Sequence, residues 1–143
     1  MSGIDRIFEG MRISASGLAA ERVRMDVIAE NIANSRTTRT PEGGAYRRKI
    51  VEFEPLVVKG PDGEKSSAGV HAARIVEDMQ TPMQMLLDPS NPDADANGFV
   101  EMPNVNTLKE MADLITAMRA YDAGMAMMDA YVRSAERALE TMR

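Results

Sequence analysis

The sequence has no cysteine and no tryptophan, and it contains a single histidine among 143 residues. The missing cysteines exclude disulfides and thiol chemistry, so the redox compartment cannot be inferred from the sequence. Because His71 is the only histidine, a histidine-based metal site or a triad that contains histidine would lack its parts. No nucleophile, base and orienting group occur together in one stretch, and the sequence therefore predicts a protein that is not an enzyme.

Aromatic residues are scarce as well, at 4% of the chain. This scarcity argues against a large aromatic-lined pocket for a cofactor, and no cofactor or metal ion is predicted. The 44% hydrophobic content excludes a wholly disordered chain, and the length suits one domain with a modest core.

Long apolar runs are also absent. No stretch approaches the roughly 20 apolar residues that a membrane-spanning helix needs, which predicts no direct membrane insertion. The first twelve residues contain Asp5, Arg6, Glu9 and Arg12, so we expect no cleaved signal peptide. Export, if it occurs, is expected to follow another route.

Charge is distributed unevenly around a net value of -5. Residues 1–49 hold nine basic and six acidic side chains, whereas residues 50–143 hold eight and sixteen. An acidic chain with a mildly basic start is a poor candidate for binding nucleic acid. The densest basic cluster has one neighbouring aromatic residue, Tyr46, and is predicted to form a protein contact or a solvated strand face; it comprises Arg36, Arg39, Arg47, Arg48 and Lys49.

A long amphipathic helix is predicted from Asn106 to Arg143. Apolar residues recur there at alternating spacings of three and four, which places a narrow seam along one side of a helix. The seam comprises Met111, Leu114, Met118, Tyr121, Met125, Met128, Val132, Ala135, Leu139 and Met142. A helix cannot bury such a seam against itself, so the pattern predicts a partner that covers it.

A second long helix is predicted from Ile4 to Asn34 and could supply that cover. Its seam is apolar except at Arg22 and comprises Ile4, Phe8, Met11, Ala15, Leu18, Arg22, Met25, Ala29 and Ile32. Each helix also contains a glycine, Gly17 in the first and Gly124 in the second. These glycines are either tolerated substitutions or points where the two helices approach closely.

Three acidic residues lie seven apart beside the C-terminal seam: Asp122, Asp129 and Glu136. Such a row is either a solvated edge or a contact with basic residues of a neighbouring helix. If the two helices are antiparallel, Arg22 falls near Asp122, and an ion pair between them is expected.

The middle of the chain is predicted to be short strands and loops. A strand is expected from Tyr46 to Val58, bent or ended at Pro55, and a second from Gly69 to Gln80, with a turn at residues 60–63 between them. Four prolines between residues 82 and 103 exclude a long helix there. The predicted fold is thus mainly α, with a small β-rich insert between two helices packed as a coiled-coil-like pair. The predicted divisions are residues 1–35, 36–105 and 106–143.

One motif resembles a cation site. Asp93, Asp95, Asn97 and Gly98 match the first half of a calcium loop. The second half has Asn104 where the loop needs a bidentate glutamate, so a turn-forming loop is favoured. A calcium-dependent binding module stays open as an alternative, as does a generic coiled-coil adaptor that forms a closed dimer or trimer through the same seams.

Four blocks of the sequence resemble the bacterial flagellar rod and hook axial protein family. They are SGLAAERVRMDVIAENIANSRT at residues 16–37, TTRTPEGGAYRRKIVEFEP at 37–55, NPDADANGFVEMPNVN at 91–106 and EMADLITAMRAYDAGM at 110–125. Residues 57–90 carry little recognisable signal. The similarity is greatest to the proximal rod members, since the chain has room for only a small inserted region.

The resemblance implies a structural subunit without an active site. Its helices would line a tubular shaft, the proximal rod in the periplasm, which transmits torque from the membrane ring toward the hook. The implied partners are other copies of the chain, the rod proteins FlgB and FlgF, FliE nearer the membrane, and the type III export apparatus during transit.

The seams and the resemblance together predict an assembly interface. It comprises Ile4, Phe8, Met11, Leu18, Met25, Ile32, Met111, Leu114, Met118, Tyr121, Met125, Met128, Val132, Leu139 and Met142, with polar contacts from Arg22, Asp122, Asp129 and Glu136.

Overall fold

Along the chain, one long and one short β-hairpin lie between two long helices. A computed structural model describes residues 3–59 and 63–141, with α1 at Gly3–Ala33 and α2 at Thr107–Thr141. Between them lie four strands: β1 at Lys49–Lys59, β2 at Lys65–Glu77, β3 at Gln84–Leu87 and β4 at Phe99–Met102. The prediction of two helices with short antiparallel strands between them is confirmed.

The two helices pack antiparallel to each other. Gly10 lies beside Tyr131 and Leu18 beside Gly124, while the Asn31 Nδ2 atom donates to the Glu110 Oε2 atom over 3.0 Å. Since the α2 numbers fall as the α1 numbers rise, the end of α1 and the start of α2 meet next to the strands.

One line of residues on α2 faces α1. From Leu114 to Glu140, every residue that is not exposed lies on this line, at spacings of three and four. We call it the inner line: Glu110, Leu114, Ala117, Tyr121, Gly124, Met128, Tyr131, Ala135 and Ala138. The rest of this stretch of α2 is exposed, so the chain covers only one of its sides.

Small residues on the inner line let the helices approach closely. A Cβ atom placed on Gly124 would lie 2.9 Å from the Leu18 Cδ2 atom, and one on Gly10 would lie 2.5 Å from the Tyr131 Cζ atom. A Cβ atom on Gly17 would meet nothing within 4 Å. Close approach therefore explains Gly124, but it does not explain Gly17.

Strands β1 and β2 form a long antiparallel hairpin that packs against α1. Its register pairs Lys49 with Glu77 and Lys59 with Lys65, and shifts occur at Glu52/Phe53 and Leu56/Val57. The strand is not ended at Pro55, because these two shifts absorb the irregularity on either side of the proline. The tip predicted as a turn, residues 60–62, lies outside the described residues.

A second hairpin, β3–β4, occurs in the proline-punctuated segment, where the sequence predicts no strands. It pairs Gln84 with Met102 and Leu87 with Phe99. Its loop is closed by Asp95, whose Oδ1 atom accepts hydrogen bonds from the backbone N–H groups of Asn97 at 2.8 Å and Phe99 at 2.9 Å. The prolines lie outside these two strands, which is why they do not prevent pairing.

Candidate assembly surface and polar hub

A network of buried polar side chains joins the two helices to the strands. We call it the polar hub: Asn31, Tyr46, Arg48, Asp78, Asn104 and Glu110. Asn31 is 1% exposed and uses its whole hydrogen-bonding capacity. Its Nδ2 group donates to the Glu110 carboxylate and the Lys49 carbonyl, while its Oδ1 atom accepts from the Tyr46 hydroxyl and the Lys49 N–H group.

Glu110 supplies the most deeply buried charge of the hub. Its side chain is 0% exposed, and its Oε1 atom lies 2.6 Å from the Arg48 Nε atom. The Arg48 guanidinium also lies 3.6 Å from Asp78 and 3.9 Å from Asp113. A buried carboxylate without such a partner would be strongly destabilising, so Arg48 binds the start of α2 to β1.

Asn104 and Asp78 connect the hub to the ends of β2 and β4. The Asn104 Oδ1 atom accepts from the Arg48 N–H group over 2.7 Å, and its Nδ2 group donates to the carbonyls of Asp78 and Thr81. Hydrogen bonds from the Thr81 N–H group and hydroxyl hold the pKa of Asp78 below its ordinary value of 3.8. Burial, followed by the nearby charge of Glu30, raises the pKa of Tyr46 to about 12.

Sequence reasoning missed the hub as a unit. Arg48 was assigned to a basic cluster and Asn104 to a failed calcium position, whereas Asn31 and Glu110 were not singled out. One signal was available: Asn31 sits next to the seam residue Ile32 in the middle of an apolar pattern. A polar residue at such a position needs buried partners.

The structure divides the predicted C-terminal seam into two sets. Leu114, Tyr121, Met128 and Ala135 belong to the inner line and are half-buried. The alternate members are exposed: Met111, Met118, Met125, Val132 and Leu139. The helical spacing agrees with the structure, in which α1 covers every second member of the seam and the chain leaves the alternate members exposed. Met142 lies outside the described residues.

The N-terminal seam is divided in the same way. Its half-buried members are Met11, Leu18, Met25 and Ile32, and its exposed members are Phe8, Ala15, Arg22 and Ala29. The side chain of Ile4 lies outside the described residues. The buried residues of α1 are instead Ser14, Ala20, Val27, Ile28 and Asn31. Alternate seam positions are thus left uncovered on both helices.

The exposed seam residues of α2 belong to a longer line. We call it the acidic line: Leu108, Met111, Ile115, Met118, Asp122, Met125, Asp129, Val132, Glu136 and Leu139, all exposed. The three acidic residues of the sequence prediction lie between large apolar ones on this line. A line of this length with so many exposed apolar side chains is typical of an interaction surface.

A third line of α2 has the opposite character. We call it the basic line: Lys109, Ala112, Thr116, Arg119, Ala123, Ala126, Ala130, Arg133 and Arg137, all exposed. Between its four cations it carries only small side chains. The two outer lines therefore differ both in charge and in side-chain size.

The predicted ion pair between Arg22 and Asp122 is not formed within the chain. Both side chains are exposed, and among the described residues none of the ion pairs includes either of them. The helices are antiparallel as expected, but both residues lie on sides that do not face the other helix.

The calcium-like loop makes contacts of its own. The Asp93 Oδ2 atom accepts from the Thr38 hydroxyl over 2.7 Å, and Arg39 lies 3.3 Å from the other carboxylate oxygen. Gly98 has φ +83°, which glycine adopts without strain. Within the described ranges, no group of three or more His, Asp or Glu side chains is arranged to hold a metal ion.

Most of the basic cluster pairs within the chain. Arg48 belongs to the polar hub, Arg39 pairs with Asp93, and the Lys49 Nζ atom lies 2.6 Å from Glu30. The prediction of a solvated face or a protein contact is therefore wrong for Arg48 and Lys49, which pair with partners inside the fold, whereas Arg39 stays 76% exposed beside Asp93. Among the described residues, no helix is both long and apolar enough to cross a membrane.

Two parts of the chain match families of flagellar rod proteins. Residues 11–39, in and just after α1, match the family described as flagella basal body rod protein. Residues 96–141, from the β3–β4 loop through α2, match the C-terminal family of the flagellar basal body rod FlgEFG proteins. The matched ranges include the helix pair and, within the hub, Asn31, Asn104 and Glu110. The fold and these matches define a rod-type axial protein.

Curated relatives narrow the class further. The chain is 40% identical to the flagellar basal-body rod protein FlgC of Borreliella burgdorferi, across 86% of this chain and 89% of the relative. It is 38% identical to FlgC of Bacillus subtilis, across 93% and 96%, and 38% identical to FlgC of Salmonella typhimurium, across 82% and 84%. The chain belongs to the FlgC family of flagellar basal-body rod proteins.

Proposed function

We propose that this chain is a structural subunit of the flagellar basal body and assembles into the proximal rod, the shaft that transmits torque toward the hook. Membership of the FlgC family supports a structural role, without catalysis, for this chain. The acidic line carries the proposal, because it is exposed along the length of α2 and contains seven large apolar residues.

The free energy of assembly depends on what covers the apolar side chains of the acidic line. Fully burying one Met, Leu, Ile or Val side chain contributes about 1.5–3 kcal/mol. The chain itself leaves this contribution unused, since the acidic line faces neither α1 nor the strands. Neighbouring subunits that cover the line would convert it into assembly free energy, and many long helices side by side would give a shaft its stiffness.

Several finer assignments complete the proposal. The two helices form a coiled-coil-like axial core, residues 1–35 and 106–143, and residues 36–105 form the small middle region. The partners are further copies of the chain and the rod proteins FlgB and FlgF, with FliE nearer the membrane. The subunit reaches the periplasmic rod through the type III export apparatus. The resemblance of the quoted blocks supports these assignments.

The proposal can be tested by complementing a strain that lacks this chain. The Met118→Glu variant places a carboxylate in the apolar part of the acidic line, and we expect loss of swimming and absence of the subunit from isolated basal bodies. Met127→Glu is the matched control, because Met127 is similarly exposed, at 53% against 51% for Met118, but lies on neither outer line. Normal incorporation of Met118→Glu would contradict the role of the line, and absence of the unsubstituted chain from basal bodies would contradict the function itself.

A further inference from the structure

The two outer lines of α2 are complementary, and the chain covers neither. The acidic line carries three carboxylates and no cation, whereas the basic line carries four cations as far as Arg137, and the exposed carboxylate Glu140 takes its next position near the end of α2. Within the described residues, none of these seven charged side chains has an ion-pair partner within 4.0 Å. On α2 each line therefore presents the charge that complements the other.

The acidic and basic lines differ in side-chain size as well as in charge. Between its carboxylates the acidic line presents Met, Ile, Val and Leu side chains, and between its cations the basic line presents alanines and one threonine. Large side chains fit against small ones when two helices pack at short distance. The two surfaces are therefore matched in shape as well as in charge.

Neither line can pair with a copy of itself. A two-fold contact would bring the same line of two copies together, placing either carboxylates against carboxylates or cations against cations. Like charges that face each other across a contact cost free energy. A head-to-tail contact, acidic line to basic line, avoids this repulsion and leaves one free line at each end of the row.

Head-to-tail packing with the helices parallel also sets a register. Each acidic-line residue from Met111 to Glu136 is followed by a basic-line residue, so at equal height the two lines are offset by one residue, about 1.5 Å along the axis. Met111 then lies opposite Ala112, Met125 opposite Ala126 and Glu136 opposite Arg137. In the same register Met118 and Val132 meet Arg119 and Arg133, whose apolar stems can pack against them.

The angle between the two lines determines how a row of subunits curves. Successive residues on a helix are about 100° apart, so the acidic and basic lines of one α2 point about 100° apart. A row of α2 helices joined through these lines at equal height therefore curves around an axis parallel to the helices. The remaining side of each α2 is occupied by its own α1.

We infer that the acidic line of α2 binds the basic line of α2 in a second copy of this chain, parallel and at equal height. The inference rests on the proposed function, because it names the partner of the assembly surface. Met125 and Ala126 are the central contact, and Arg133 lies between the carboxylates Asp129 and Glu136 of the neighbour.

Disulfide trapping tests the contact, since the chain has no cysteine of its own. Met125→Cys and Ala126→Cys copies are produced separately and together, and isolated basal bodies are oxidised and run on a non-reducing gel. We expect a disulfide-linked dimer only when both variants are present. The matched control replaces Met125→Cys by Met127→Cys, which starts from a methionine that is on neither outer line and is exposed at 53% against 43% for Met125; it should give no dimer.

Three outcomes would overturn the inference. They are a dimer from either variant alone, equal dimer yield with Met127→Cys, and incorporation of both variants without any dimer. A cross-link to a protein of different mass would also overturn it, by showing that another rod protein occupies the line. If the unsubstituted chain is absent from basal bodies, the proposed function fails instead, and the same trapping on the concentrated purified chain decides the contact.

Discussion

The two ends of the helix pair are stabilised in different ways. Where α1 ends and α2 begins, the polar hub satisfies Asn31 completely and buries the Glu110 carboxylate beside Arg48. Toward the other end, α2 contacts the rest of the chain through the inner line, and its outer lines are exposed. The comparison indicates that the hub fixes the fold of the single chain and that the outer lines serve contacts between chains.

The largest expected effect comes from breaking the hub. Glu110→Ala leaves the Arg48 guanidinium partly buried without its closest partner, and we expect the free energy of unfolding to fall by about 3–5 kcal/mol. Urea denaturation followed by circular dichroism measures the change. Glu136→Ala, on the exposed acidic line, is the control and should stay within about 0.5 kcal/mol of the unsubstituted chain. Equal effects of the two substitutions would show that the polar hub contributes no more to the stability of the single chain than the acidic line does.

The next effect concerns the glycines of α1. A Cβ atom on Gly10 would lie 2.5 Å from the far end of the Tyr131 side chain. Moving that ring costs about 1–3 kcal/mol and offsets the roughly 1 kcal/mol that alanine gains over glycine in a helix, so we expect Gly10→Ala to destabilise the chain by up to about 2 kcal/mol. Gly17 has open space, and Gly17→Ala should instead stabilise by about 1 kcal/mol through helix propensity. Thermal unfolding of both variants measures the difference. If both stabilise equally, the helices are not in close contact near Gly10.

A smaller effect is expected from pH. The folded-state pKa of Asp78 is lowered by Thr81, so its carboxylate stabilises the fold above the unfolded-state pKa of 3.8 and this contribution is lost as the pH falls below that value. Unfolding at a series of pH values should show this loss, and Asp78→Asn should show less of it. An unchanged acid profile in Asp78→Asn would assign the effect to other carboxylates.

Sequence reasoning could reach the helices but not the side that each one buries. The spacing of Met111, Leu114 and Met118 is typical of a helix, and both long helices followed from it. The structure instead places buried Ala117 and half-buried Gly124 on the line that faces α1, and Gly124 allows the two helices to approach closely. A search for apolar residues gives more weight to Met than to Gly. The predicted seam therefore runs through the methionines and omits Gly124 and Ala117.

The sequence could not predict the polar hub or the β3–β4 hairpin, and each has its own reason. Asn31, Arg48 and Glu110 come from three distant segments, and only the tertiary fold brings them together. The β3–β4 pair consists of two four-residue strands, and strands this short give little alternation to detect. The Asx turn at Asp95 was foreseen as a turn-forming loop, but not as the connection of a hairpin.

The most direct test is the stability of a purified, dilute chain that carries Met111→Gln, Met118→Gln and Met125→Gln together. The account predicts a free energy of unfolding within about 1 kcal/mol of the unsubstituted chain, because exposed substitutions have small effects. A loss of about 4 kcal/mol or more would contradict it, because burial of each methionine in the chain's own fold would contribute about 1.5–3 kcal/mol.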